Sequence, residues 1–228
     1  MLVLALDTSS PAVSVALVEL SPGVADDTSE LRWGRQADWS VVDGKRHGEL
    51  LATGVRTVLE ELDAATRDLS AIAVGVGPGP FTGLRVGITT GLVMGDALGI
   101  PVYGACSLDA VDAWSEEPGR RLVVTDARRK EVYWAEYDEG DERVAGPSVM
   151  RPADLAAALR ETAWEGRVVG DGAHLYPDHF AATGPRYPSA DALVMLAARR
   201  VVDRAPTEQL TPLYLRRPDA VPTAERRP

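Results

Sequence analysis

The stretch LVLALDTSSPAVSVALVEL, Leu2 to Leu20, sets the fold when laid beside RRLVVTDARRKEVYWAEYDE, Arg120 to Glu139. Each opens with a short apolar run that ends in an aspartate, Asp7 or Asp126. Six positions on stands a valine, Val13 or Val132, and three further an alanine, Ala16 or Ala135. Apolar runs bounded by polar turn residues predict strands, so each stretch reads as strand, turn, strand. The shared spacing predicts an internal repeat, with chance likeness between two hairpins as the alternative.

Working outward, LRWGRQADW predicts a third strand, and HGELLATGVRTVLEEL puts Leu51, Val55, Val58, Leu59 and Leu62 on one helical face. The run AIAVGVG, apolar throughout, reads as a buried parallel strand. A long helix follows it to about Leu98, stopped by Gly99 with Pro101 behind. PVYGA predicts a strand, and a helix near Ser107 to Trp114 completes the first half. Beyond the second hairpin come a helix near Pro152 to Arg160, a short strand GRVVG and a helix near Ala190 to Asp203. The Pro-rich ending LTPLYLRRPDAVPTAERRP reads as a loosely ordered tail. The expected fold is α/β: two duplicated actin-like lobes with mixed sheets flanked by helices, residues 1–105 and 106–216, with a basic, Pro-rich tail over 217–228. In architectures on that plan, nucleotide sits between the lobes.

The net charge of −10 argues against capture of nucleic acid by the surface as a whole, so any RNA contact must be local or made through a partner. The single cysteine, Cys106, cannot form an intrachain disulfide and reads as a small core residue of a protein in a reducing compartment. The N-terminal apolar run lacks a basic region and stops at Asp7, so it reads as a strand, not a signal peptide. No apolar run is long enough to span a bilayer, and the cytoplasm is the expected location.

The segment GVGPGPFTGLRVG, Gly75 to Gly87, has the look of a phosphate cradle at a helix N-terminus. It lacks the lysine of a nucleotide-binding P-loop, and Pro78 and Pro80 remove two backbone donors. Glycines continue along the helix as Gly83, Gly87, Gly91, Gly95 and Gly99, a near-longitudinal stripe. Each interior glycine costs about 1 kcal/mol relative to alanine, so the stripe implies close approach of something else. Two readings stay open: tight packing on the chain's own sheet, or a partner helix. Gly48 and Ala52 on the preceding helix add small residues beside its apolar face.

Few residues offer chemistry. His47 has no second histidine at helical spacing, and His174 and His179 lie five apart in what reads as a loop. Asp7, Thr8 and Asp126, at the hairpin turns, are candidate nucleotide contacts, although aspartate at a turn is also ordinary turn chemistry. Arg128, Arg129 and Lys130 form a basic knot, a candidate anion or RNA contact with a solvated turn as the plainer reading. Arg216 and Arg217 near the end are further candidate RNA or partner contacts.

Four segments together, LALDTSSPAVSVAL, GVGPGPFTGLRVGITTGLVMGDALGIPVYGACSLDA, DARRKEVYWAEY and PLYLRRPDA, resemble the TsaB family of bacterial tRNA threonylcarbamoyladenosine biosynthesis proteins. The resemblance runs in order from the first strand to about Ala220. It implies two actin-like lobes and a noncatalytic subunit that supports the related transferase TsaD, with the ATPase TsaE, in modifying the adenosine next to the anticodon. It further implies self-association when alone, and tRNA contact through the complex. TsaD-like proteins carry a metal-binding His-x-x-x-His on the first helix; here His47 stands at the first position and Leu51 at the second. No intrinsic cofactor is expected, with ATP or ADP considered only at a subunit interface. The implied partner face lies on the first two helices, with His47, Leu50, Leu51, Gly54, Gly83, Gly87, Gly91 and Gly95 as its candidate residues. The alternatives are an ATP-using transferase of the same fold and a peptidase, for which no metal pair or nucleophile–base pair can be assembled.

Overall fold

The computed structural model describes residues 1–23, 31–113 and 119–216. The first sheet is built from β1 (Leu2–Asp7), β2 (Ala12–Pro22), β3 (Leu31–Val42), β4 (Leu69–Gly75) and β5 (Val102–Ala105), in the spatial order β3-β2-β1-β4-β5. β1 pairs antiparallel with β2 and parallel with β4, so the sheet is mixed. The second sheet, β8-β7-β6-β9, uses β6 (Arg121–Asp126), β7 (Val132–Tyr137), β8 (Arg143–Met150) and β9 (Arg167–Val169). Here β6 is antiparallel to β7 and parallel to β9, the same plan one strand shorter.

Helices cover both faces of each sheet, which is why the central strands read as near-continuous apolar runs. On one face of the first sheet lie α1 (His47–Glu61) and α2 (Phe81–Leu98), with Leu51, Val58, Leu84 and Ile88 packed on Leu4, Leu6, Val15 and Val74. The other face is covered by α6 (Ala190–Val202), whose Leu193, Val194 and Ala197 meet Val3, Ala5, Ala16 and Ala73. The second sheet lies between α3 (Ser107–Asp112) on one side and α4 (Pro152–Glu161) with α5 (Asp171–Leu175) on the other. A buried arginine ties α3 to β6: the Arg121 side chain donates to Asp112 at 2.6 Å and also bonds Asp141. Pairing is what makes such a buried charge tolerable.

Several sequence expectations meet their physical reasons here. α2 ends as the glycine signal requires, with Gly99 in the left-handed region at φ 66°. Cys106 is a core residue, and burial pushes its thiol up to about 11. The hairpin repeat holds in topology but not in register, because Asp7 faces Ser14 whereas Asp126 faces Val132. The first turn is one residue longer, so equal spacing in sequence does not mean equal pairing. The ending is not loose throughout. Leu210 packs with the first sheet's core, Leu213 and Leu215 pack with the second's, and the Leu213 N–H donates to the Val76 carbonyl at 2.8 Å. Residues 217–228, expected as the tail and including Arg217, lie outside the described residues, as does Trp114 at the expected end of α3.

Candidate functional site

The end of β1 is where the two halves meet, and it carries the candidate nucleotide contacts Asp7 and Thr8. Asp7 is 1% exposed, and every bond it makes is internal. Its Oδ1 accepts from the Ser9 N–H at 2.8 Å and the Ser9 hydroxyl at 2.7 Å, while Oδ2 accepts from the Ser107 hydroxyl at 2.6 Å. Burial pushes its carboxyl above the ordinary carboxylate value, opposed by the hydrogen bonds from Ser107 and Ser9. Thr8 is equally enclosed: its hydroxyl donates to the Gly83 carbonyl at 2.7 Å and accepts from the Gly87 N–H at 2.9 Å. The Ser107 hydroxyl also receives the Gly77 N–H at 3.1 Å.

These bonds explain the glycines. A Cβ on Gly75 would stand 1.8 Å from Asp7 Oδ2, and one on Gly79 would stand 2.2 Å from the Ser9 carbonyl oxygen. On α2, a Cβ at Gly83 would come 2.4 Å from the Thr8 carbonyl oxygen, and at Gly87 2.6 Å from Thr8 Oγ1. Farther along, Gly91 abuts Val74 and Gly95 abuts Val102. The stripe therefore faces the chain's own turn and sheet, so internal packing, not a partner helix, accounts for these four residues. Gly54 is likewise pressed on Trp39 and Val15, and Leu51 is buried. Of the remaining candidate interface residues, Leu50 is half-buried, as is His47, whose Nε2 lies 2.9 Å from the Ser10 carbonyl oxygen.

What α1 and α2 turn outward is different. Phe81, Leu92 and Val93 are exposed on α2, Val93 to 62%. Arg85 lies over the Phe81 ring at 3.9 Å, and Tyr214 stacks beside it with ring centroids 5.2 Å apart. On α1, Gly48 and Ala52 are exposed, with nothing within 4 Å of where a Gly48 Cβ would stand.

Across the junction, Asp126 accepts from the Arg128 N–H at 2.8 Å and pairs with the Arg128 guanidinium at 3.3 Å. Its own N–H donates to Asp171 at 3.2 Å. Burial pushes Asp171 up to about 6, and the neighbouring Asp126 charge adds to the rise. The space between the two strand ends, lined by Ser9, Pro11, Pro78, Leu108, Asp126 and Pro188 among others, amounts to about 10 Å³. That is room for about one water. Among the described residues, no three His, Cys, Asp or Glu side chains gather as a metal site.

Arg128, Arg129 and Lys130 are exposed, with φ of 61°, 53° and 61°. Three successive non-glycine residues in this region cost about 1 kcal/mol or more each. Arg216 donates to the Ala127 carbonyl at 2.7 Å and pairs with Glu131, which fastens the same turn from outside. Sequence reasoning missed Ser107 and Asp171. Ser107 opens a helix after a strand and Asp171 follows a strand–glycine pair, signals that exist but are weak alone. Among the described residues, no helix is long and apolar enough to cross a membrane.

A model for the family of TsaD, tRNA N6-adenosine threonylcarbamoyltransferase, matches residues 42–219. The chain is 30% identical to the tRNA threonylcarbamoyladenosine biosynthesis protein TsaB of Escherichia coli, over 95% of each. It is 42% identical over its whole length to an uncharacterized protein of Mycobacterium leprae, of which it spans only 58%. Among solved structures, YeaZ from Pseudomonas aeruginosa superposes with a TM-score of 0.74 at 28% identity, covering 94% of this chain and 99% of that one.

Proposed function

The chain belongs to the TsaB family, and we propose that it serves tRNA threonylcarbamoyladenosine biosynthesis as a noncatalytic subunit that dimerises with a TsaD-type transferase and works with the ATPase TsaE. The observation that carries this reading is the closed junction. Asp7 is buried and consumed by internal hydrogen bonds, and the cavity lined by the adjoining Ser9, Ser107 and Asp126 holds about 10 Å³. A nucleotide-using transferase needs a cleft there, and a ligand pocket is typically about 300 Å³ or more. Leu51 in place of a second helical histidine points the same way.

The partner face we assign is the outward side of α1 and α2. Phe81, Leu92 and Val93 supply apolar anchors, while Gly48 and Ala52 let a second pair of helices approach closely. The same face serves self-association when the partner is absent.

Threonine incorporation into unmodified tRNA, with ATP, bicarbonate, the carbamoyl-adenylate synthase, TsaD and TsaE, tests the role. Incorporation should require this chain and should vanish without TsaD. Full incorporation without the chain, or incorporation by the chain in the absence of TsaD, overturns it.

A further inference from the structure

We propose that the rim made by the β3–α1 turn and the β6–β7 turn is a contact for an RNA phosphodiester backbone, a reading that rests on the tRNA-modification role above. The chain has two lysines, Lys45 and Lys130, and each lies on one of these turns. The turns adjoin across the junction, since Arg128 Nη2 lies 3.8 Å from where a Cβ on Gly44 would stand. Lys45, Arg46, Arg128, Arg129 and Lys130 are all exposed.

Pairing separates these cations into two kinds. Asp43 holds Arg46 at 2.8 Å, Asp126 holds Arg128 at 3.3 Å, and Glu131 holds Arg216. Among the described residues, neither lysine ammonium has an ion-pair partner, so the lysines are the unneutralised charge of the rim. The acidic character of the whole chain, −10, does not cancel this. Charges beyond about 8 Å are largely screened at physiological salt, so the local balance decides.

The chemistry selects the ligand. Residues 43–46 and 128–131 are charged or glycine throughout, without an apolar anchor. A protein interface builds its core from aromatic and aliphatic groups and is depleted in lysine, whereas a phosphate backbone needs compact cations and little else. Left-handed backbone at Arg128, Arg129 and Lys130 holds the turn in a conformation that glycine would adopt more cheaply, yet all three residues carry charge. Lysine is a point charge without a planar fork, which suits positioning on a backbone more than base reading.

The test uses the reconstituted complex of this chain with TsaD and TsaE, and tRNA lacking the modification. Binding is followed by anisotropy as salt rises from about 50 to about 200 mM. Lys45→Gln with Lys130→Gln should weaken binding at least about threefold and flatten the log–log salt slope by about 1.4 to 1.8. Arg151→Gln with Arg160→Gln, the same charge change on and beside α4, should leave the slope unaltered. Sedimentation should show the complex intact in both. An unaltered slope in the lysine variant overturns the rim, as does an equal effect from the α4 control. Loss of TsaD association in the lysine variant also overturns it, making the rim a protein contact. Incorporation that depends on the chain alongside an unaltered slope sinks the rim alone; incorporation independent of the chain sinks the role and the rim together.

Discussion

Asp171 and Thr8 show how the junction works one side chain at a time. Burial raises Asp171 to about 6, above the ordinary 3.8, so the folded state resists its ionisation. The stability it contributes is therefore full below about pH 4 and is lost as pH rises through about 6. Asp171→Asn keeps the shape and removes the charge. Allowing for partial solvent screening, it should gain about 1–2 kcal/mol at pH 7.5 and remove that part of the pH slope between about 4 and 6. Urea midpoints measured across pH check this, and an unchanged slope would refute it. Thr8→Val probes the other side at nearly constant volume. It leaves the Gly87 N–H without its 2.9 Å acceptor, which should cost about 1–3 kcal/mol. If Thr8 is structural, threonine incorporation per folded complex should not move. A fall in turnover at full folding would restore a nucleotide role to this turn.

At the scale of the element, α2 has two faces with opposite duties. Gly91→Ala would put a Cβ 2.5 Å from Val74 Cγ2. Overpacking of about 1–3 kcal/mol outweighs the helix-propensity gain of at most about 1 kcal/mol, so the variant should lose stability. Val93→Asp, on the exposed face, should stay within about 0.5 kcal/mol of the parent, yet weaken TsaD association about tenfold or more by burying an unpaired carboxylate. Thermal melts and sedimentation of the two variants separate the faces; a stable Gly91→Ala that fails to associate would reverse the assignment. The glycine stripe itself was legible from spacing, but its direction was not. Small residues suit a partner helix and the chain's own sheet equally, and the deciding neighbours come from elsewhere in the chain: Thr8 from the β1–β2 turn, Val74 and Val102 from β4 and β5. Nearly all the helices and strands were legible because each carries its period or a bounded apolar run. β8 was missed because RVAGPSVM shows no clean alternation and contains Pro147. The five-residue α5 was missed because it is too short to show a period. At the site, Asp7 and Asp126 could be singled out as turn aspartates, whereas Ser107 could not be joined to Asp7 across 100 residues.

At the scale of the whole molecule, duplication of the hairpin suggests two lobes that fold separately, but the packing argues for coupling. α6 belongs to the second half of the sequence, and it covers one whole face of the first sheet. Without it, Val3, Ala5, Ala16, Val18 and Ala73 would face water. The segment after α6 then returns across both sheets: Leu210 packs with the first, Leu213 and Leu215 with the second, and Arg216 closes on Ala127. The Asp7–Ser107 bond adds a buried polar link at the junction, and such bonds are expensive to break singly. We therefore treat the division at 105–106 as a boundary of the repeat and not of folding. Calorimetry should show a single transition, with the calorimetric enthalpy equal to the van't Hoff value. A chain truncated to residues 1–105 should fail to fold, because it keeps the first sheet but loses the helix over one face. Two resolved transitions, or a truncated first half with a cooperative melt of its own, would show that the lobes stand alone and that the closed junction is a docking contact between them.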